Sequence, residues 1–430
     1  MRITLRAGIS GASLFSHKKR EKPDNSENIY KALYAASLEN PQDPLIEDTK
    51  SPNRFSQELF DQVPEVSSKL PASISAKDFL QEESRLQTRR SDFLLGKRSL
   101  TGFIRVLVTG SGGPAAIAVL RSLHADKDII LLSADMDPWA SGLYLVDSCN
   151  RIILLPAKDP QFVDNLLELC RQHRVDILIP TVDAELMPIA SNLNRFKSIG
   201  TRVLGAPLAV LERTIDKLAL AQSCKGTVRV PRTELVLETD INSWKFPVII
   251  KPRRGSGSRG VLLLQSAADL PAKEFLQDVM IQEYLPGDEY SIDVLASKKG
   301  NPIAAVPRLR ARIDSGVAVA GRTLVDAELT NFAKNVVSVL RLPFISNVQV
   351  RRGVDGNPYL LEVNPRVPGS LALTKAAGVD MVRLAVNDLR GLKIPKEVAH
   401  REVAMLRPLE DLIIECDDLE NGTFKESVIT

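Results

Sequence analysis

Glu362, Asn364 and Arg366 lie in the stretch Leu361-Glu362-Val363-Asn364-Pro365-Arg366, where an acid, an amide and an arginine alternate with apolar residues and a proline. A hard cation such as Mg²⁺ takes oxygen ligands, commonly a carboxylate or two completed by phosphate oxygens. An arginine fork clamps phosphate or carboxylate. These residue types at this spacing suit a metal–nucleotide site. To act together the oxygen donors must share a face, and a strand provides one, because alternate side chains point the same way. Glu362 and Asn364 then project together, while Pro365 ends the ladder and turns Arg366 into a loop.

The partner strand is Asn347-Val348-Gln349-Val350, which runs to Asp355-Gly356 and returns through Asn357-Pro358-Tyr359-Leu360. Asp-Gly between two apolar runs predicts a hairpin with a two-residue turn. In that register Val354 faces Asn357, Gln349 faces Glu362 and Asn347 faces Asn364. One polar patch then holds Asn347, Gln349, Glu362 and Asn364, and Val348, Val350, Leu361 and Val363 face a core. A plain surface hairpin would alternate in the same way, but would not require a polar face made only of metal-competent groups.

Three further stretches bear on the same chemistry. Val248-Ile249-Ile250 reads as a buried strand, followed by Lys251-Pro252-Arg253-Arg254-Gly255-Ser256-Gly257-Ser258-Arg259-Gly260 and a second strand, Val261–Leu264. A P-loop would open a helix; a glycine-rich hairpin instead lays backbone N–H groups over phosphates, with Lys251 as a point charge for phosphoryl oxygens. A basic surface hairpin is the alternative. The stretch from Gln282 through Glu283 and Leu285 to Glu289 turns at Pro286-Gly287 between two strands, a hinge that can offer backbone to an adenine edge and an acid to ribose hydroxyls. Arg308, Arg310 and Arg312 stand at period two, hence on one strand face, able to hold a substrate carboxylate and an acyl phosphate. A solvated basic face fits them equally. Ala327–Leu340 predicts a core helix, and Trp139 and Trp244 read as core residues.

The 430 residues carry 56 Lys and Arg against 53 Asp and Glu, a net charge of +3. Such a balance advertises neither nucleic acid nor membrane, and no apolar run is long enough to span a bilayer. Cys149, Cys170, Cys224 and Cys416 are dispersed, which fits free, mostly buried thiols rather than a disulfide or zinc framework. Residues 1–102 are polar and read as a largely disordered extension. Their basic start, with Arg2, Arg6, Lys18, Lys19 and Arg20, resembles an organelle transit peptide, although a basic disordered end and a cytoplasmic location are preferred. After residue 103 strands and helices alternate, predicting a parallel, doubly wound sheet. Its first turn, Gly110-Ser111-Gly112-Gly113 with Asp135 beyond, sits where a dinucleotide loop would, but lacks the GxGxxG spacing. A substrate-side loop or plain scaffold is the preferred reading there.

Taken in order, these motifs resemble the ATP-grasp enzymes, in particular the carbamoyl-phosphate-synthase-like carboxylate–amine ligases, over residues 103 to 400. The resemblance implies an α/β chain: a Rossmann-like pre-ATP-grasp domain over 103–212, then an ATP-grasp fold over 213–400, whose two α+β subdomains clamp ATP. The lid subdomain would cover about 228–285, and 401–430 form a C-terminal segment. Residue by residue, it implies that Lys217 and Lys251 contact ATP phosphates and that the loop with Gly255, Ser256, Gly257 and Gly260 closes over them. Glu283 and Leu285 would meet adenine and Glu289 the ribose. Gln349, Glu362 and Asn364 would ligate Mg²⁺ or Mn²⁺, and Arg366 would stabilise the transferred phosphoryl group or the acyl phosphate. From the period-two stretch, Arg310 joins Lys251 and Arg366 as a candidate catalytic residue. Gln349 is neutral where many relatives place a carboxylate, which puts a second metal in doubt. A single grasp unit without a glutaminase Cys/His site implies a ligase of a carboxylate and an amine, among them amino acids or peptides, rather than full carbamoyl phosphate synthesis. A homodimer is a further expectation. The alternatives are an ATP-binding regulatory or scaffold protein without turnover, and an NAD(P)-dependent oxidoreductase built on the Gly110–Gly113 turn.

Overall fold

The computed structural model describes residues 102–423 except 256–258, 315–316 and 409. The predicted extension, apart from Gly102, therefore lies outside the described residues. Continuous apolar runs become strands covered on both faces. β1 (Ile104–Thr109), β2 (Ile129–Asp135), β3 (Arg151–Ile153), β4 (Ile177–Ile179) and β5 (Arg202–Val203) form a parallel sheet in the order β3-β2-β1-β4-β5. Its helices are α1 (Pro114–Leu123), which starts at a proline, a residue suited to the first helical turn, α2 (Phe162–Gln172), α3 (Asp183–Ala190) and α4 (Leu193–Ser198). Residues 186–196 are thus shared between two helices. The break falls at Asn192, whose side-chain amide donates to the Pro188 carbonyl at 2.9 Å, a local bond that competes with the helical ladder.

Two short helices, α5 (Leu208–Ile215) and α6 (Lys217–Cys224), lead into a four-stranded antiparallel sheet ordered β6-β9-β7-β8. Its strands are β6 (Thr233–Leu235), β7 (Val248–Pro252), β8 (Leu262–Leu264) and β9 (Val279–Glu283). This sheet has its own small core of Val236, Trp244, Val248, Ile250, Leu264, Val279 and Ile281. A six-stranded antiparallel sheet follows, ordered β14-β13-β10-β11-β12-β15. It consists of β10 (Glu289–Ala296), β11 (Pro302–Asp314), β12 (Val317–Thr323), β13 (Phe344–Arg352), β14 (Pro358–Asn364) and β15 (Ala404–Leu406), with α7 (Ala327–Leu340), α8 (Leu371–Ala376) and α9 (Met381–Arg390) against it and α10 (Cys416–Thr423) at the end. Val106 and Val108 of β1 and Val119 and Leu123 of α1 share one buried cluster with Val306, Ile345, Leu371 and Val386. The parallel sheet and the six-stranded sheet are therefore welded through α1, α8 and α9. Trp244 is buried as expected, but Trp139 is 73% exposed on the loop after β2, so its assignment to the core is wrong. Cys170 and Cys224 are buried, while Cys149 and Cys416 are exposed.

The β13–β14 hairpin departs from its predicted form in two places that cancel. Gly353 N–H donates to the Asn357 carbonyl at 2.9 Å, and Gly356 N–H to the Gly353 carbonyl at 3.0 Å. The loop is therefore the three residues Val354-Asp355-Gly356, with Gly356 at φ +74° in the left-handed conformation such a turn requires. That moves the pairing to Arg351 opposite Tyr359 and Val350 opposite Leu360. Leu361 then bulges out, and the predicted partners return: Gln349 opposite Glu362, Val348 opposite Val363 and Asn347 opposite Asn364. A bulge lets two consecutive side chains leave on one face. Leu360 is 2% exposed in the core, and Leu361, expected to be buried there, joins Glu362 on the open face.

Candidate active site

A cavity of about 450 Å³ lies between the four-stranded and six-stranded sheets. Period two along β7 sends Val248 and Ile250 into the small core and Ile249 and Lys251 to the cavity. Lys251 is 8% exposed. Burial pushes its ammonium down to about 8, the Glu362 carboxylate opposes that, and Lys217 adds to it. A buried cation held this way favours an anionic ligand.

Lys217 is presented by the first turn of α6. The N-cap Asp216 accepts the N–H groups of Leu218 and Ala219, each at 3.1 Å, and the Arg253 guanidinium at 2.6 Å. Lys217 N–H donates to the Arg253 carbonyl at 3.1 Å, its ammonium donates to the Gly255 carbonyl at 2.6 Å, and that ammonium stands 3.5 Å from Glu362 Oε2. The side chain thus ties the glycine loop to the Glu362 carboxylate. Gly255 lines the cavity; Gly260 does not. Ser256 and Gly257 lie outside the described residues.

Gln349, Glu362 and Asn364 line the floor, with the Asn364 amide 3.3 Å from Glu362 Oε1. Among the described residues no three His, Cys, Asp or Glu side chains cluster to hold a metal. One carboxylate with two amides is a hard, oxygen-bearing set, and it fits Mg²⁺ or Mn²⁺ only if phosphate oxygens and water complete the shell.

Glu283, Leu285 and Glu289 line the same cavity. The Glu283 N–H is committed to the Arg232 carbonyl at 2.9 Å and so is not a donor to a base edge. Glu289 stands 3.8 Å from Arg310. Ile249, Val261, Ile313 and Leu361 complete an apolar lining that sequence reasoning did not single out. The signal for Ile249 was present, since it shares parity with Lys251. For Leu361 there was none, because strict alternation sends it to the core.

A second cavity, about 350 Å³, adjoins the first across Arg310, Gln349, Asn364 and Arg366, which line both. Its other wall comes from the carboxyl ends of β1 and β4, including Gly110, Gly113, Thr181 and Asp183. Open α/β sheets present ligands at this end. Arg366 donates from Nε to Asp183 Oδ1 at 2.5 Å and from Nη2 to Asp183 Oδ2 at 2.9 Å. Asp183 was not among the expected site residues.

The expected three-arginine face does not form. Arg308 lines the second cavity but is 4% exposed and donates to Asp293 at 2.9 and 2.6 Å. Asp293 also accepts from Asn347 at 2.9 Å and Thr374 at 2.5 Å. A register shift between Arg310 and Arg312 breaks the period, and Arg312 is exposed. At the turn of the dinucleotide alternative, Asp135 accepts from Gly112 N–H at 2.8 Å and Asp137 N–H at 3.0 Å and so braces its own loop. A Cβ on Gly142 would lie 2.2 Å from the Ser111 carbonyl, so the glycine turn is packed against the next loop.

The family profile described as "ATP-grasp in the biosynthetic pathway with Ter operon" matches residues 275–412. That of the "PylC-like, N-terminal domain" matches residues 106–204. Among curated relatives, the chain is 22% identical over 368 residues to the arginine-specific carbamoyl phosphate synthase large chain of Arabidopsis thaliana, covering 75% of this chain and 30% of that one. It is 28% identical over 211 residues to D-alanine--D-alanine ligase of Thermotoga maritima, covering 43% and 69%. Among solved structures, N5-carboxyaminoimidazole synthetase from Staphylococcus aureus complexed with ADP aligns with a TM-score of 0.59 at 14% identity, over 73% of this chain and 84% of that one. The biotin carboxylase complex from Campylobacter jejuni aligns with a TM-score of 0.57 at 16% identity, over 68% and 72%. These likenesses carry the fold. The chain spans under a third of the length of the carbamoyl phosphate synthase large chains.

Proposed function

We propose that this chain, which belongs to the ATP-grasp superfamily, uses ATP to phosphorylate a carboxylate and joins the resulting acyl phosphate to an amine, releasing ADP and phosphate. The observation that carries this reading is the convergence of Lys217, Lys251, Gly255, Glu289, Gln349, Glu362, Asn364, Arg310 and Arg366 on one cavity between two sheets.

The apolar residues Ile249, Leu285 and Leu361 hold the base, Glu289 takes the ribose, and Lys217 and Lys251 hold the phosphates. Gln349, Glu362 and Asn364 would hold a Mg²⁺ ion, which would supply charge neutralisation to the phosphates. Arg366 and Arg310 stand where the two cavities meet, positioned to balance charge on the phosphoryl group in transit. The bond between phosphorus and the ADP oxygen breaks as the carboxylate oxygen bonds to phosphorus. The amine then displaces phosphate from the acyl carbon, and the two protons an ammonium loses leave with phosphate. The residues position and neutralise, with no covalent enzyme intermediate.

The test is release of ADP and phosphate by the full chain against a panel of carboxylates and amines. Glu362→Ala should lower turnover at least ~100-fold, about 2.7 kcal/mol of barrier, while circular dichroism stays unchanged. Unaltered turnover in this variant would sink the metal assignment.

A further inference from the structure

Asp183 is the single acidic side chain among the described residues lining the second cavity. Glu185, two residues along α3, is turned away and buried against the Thr109 hydroxyl, which donates to it. Asp183 meets Arg366 through two parallel bonds, the same fork a substrate carboxylate would make. In the resting protein it therefore stands in for that carboxylate. Arg308 cannot serve instead, because Asp293 holds its guanidinium.

The Asp183 side chain is 42% exposed and that of Arg366 20%. A pair this open contributes little net free energy, so exchange for a substrate carboxylate meets small resistance. Once that exchange occurs, the substrate carboxylate holds the Arg366 fork, and Asp183, left beside a second carboxylate without its cation, favours another. A cavity of about 350 Å³ is at the small end for ligand pockets. The acceptor beside the acyl phosphate should therefore be small.

Resting on the ligase reading above, we propose that Asp183 determines acceptor specificity: the incoming carboxylate takes its place on Arg366, and Asp183 then holds the ammonium of a small, positively charged amine such as an amino acid in the second cavity. Uncharged acceptors gain nothing from Asp183.

The test uses the full chain with Asp183→Asn and Asp183→Glu variants. Phosphate release is measured with ATP, a panel of small carboxylates, and the twenty common L-amino acids as acceptors, beside hydroxylamine, which is uncharged near neutral pH and traps acyl phosphate as a hydroxamate. In the wild type a charged amine should be the better acceptor. In Asp183→Asn the ratio of kcat/KM for that amine to kcat/KM for hydroxylamine should fall at least ~10-fold, carried by the amine KM, because a lone charged hydrogen bond confers discrimination of that order. The KM for the carboxylate should fall, since its internal competitor is weakened, and Asp183→Glu should restore part of the ratio. An unchanged ratio in both variants, or equal losses with amine and hydroxylamine, would overturn the proposal and leave Asp183 a clasp between the two sheets. A wild-type protein that binds ATP yet forms neither product nor hydroxamate with any carboxylate would instead overturn the ligase reading itself.

Discussion

At the scale of single residues, the two lysines of the first cavity share one carboxylate, Glu362, which neither contacts closely. Lys217 stands 3.5 Å from Glu362, beyond a good hydrogen bond, and Lys251 is buried with its ammonium pushed down to about 8. Both the type and the order of these groups were legible, because carboxylate, amide and lysine chemistry follows from residue identity. Asp183 was not, since one aspartate after a strand carries no signal until Arg366 is seen beside it. Glu185 offers a test of burial by pH. Its carboxyl is raised from 4.5 to about 7, with burial the main cause, opposed by the Thr109 hydroxyl. Between those values the folded protein keeps a proton that the unfolded chain has released, so stability falls as pH rises through that window. Above about 7 the penalty is complete, on the order of 3 kcal/mol. Glu185→Gln should therefore raise Tm by several degrees at pH 8 and leave it nearly unchanged at pH 4, as read by thermal denaturation at the two pH values.

At the scale of elements, β13 and β14 form the most consequential hairpin of the chain. Asp355-Gly356 correctly marked the turn, and Gln349 and Glu362 do face each other, but a longer loop and a bulge at Leu361 bring them there. Turn length and bulges depend on how the strand ends pack, which alternation alone does not encode. A pair of variants tests the bulge. Leu360→Ala removes a 2% exposed core side chain and should destabilise the fold by about 2–5 kcal/mol. Leu361→Ala should leave stability nearly unchanged and weaken nucleotide binding roughly 10-fold, as expected for lost apolar contact with a base. A regular hairpin would exchange the two outcomes, so calorimetry of both variants with and without ATP separates the cases.

At the scale of the whole molecule, three sheets meet around two adjoining cavities. The proposed metal set contains one carboxylate, Glu362, with Gln349 and Asn364 as amides, so Mg²⁺ alone should add little stability. With ATP at about 100 times its Kd the gain should approach 2.7 kcal/mol, visible as a rise in Tm, and EDTA should reduce it. A rise with Mg²⁺ alone equal to that with MgATP would contradict the shared metal–phosphate site. The sequence by itself determined the alternation of strands and helices, the glycine loop after Lys251 and the polar face of β14, because periodicity and residue chemistry are local. Only the tertiary structure decided which arginines are available. It buried Arg308 on Asp293, moved Arg312 out past a register shift, and brought Asp183, at the start of α3, to Arg366 across 183 residues of chain. The first two are settled within the six-stranded sheet, by strand pairing and register; the third arises from the packing of α1 against α8 and α9, which sets one sheet's carboxyl edge against the end of another. The Glu362–Asn364–Arg366 run thus names the chemistry, and the joining of the sheets determines what that chemistry can reach.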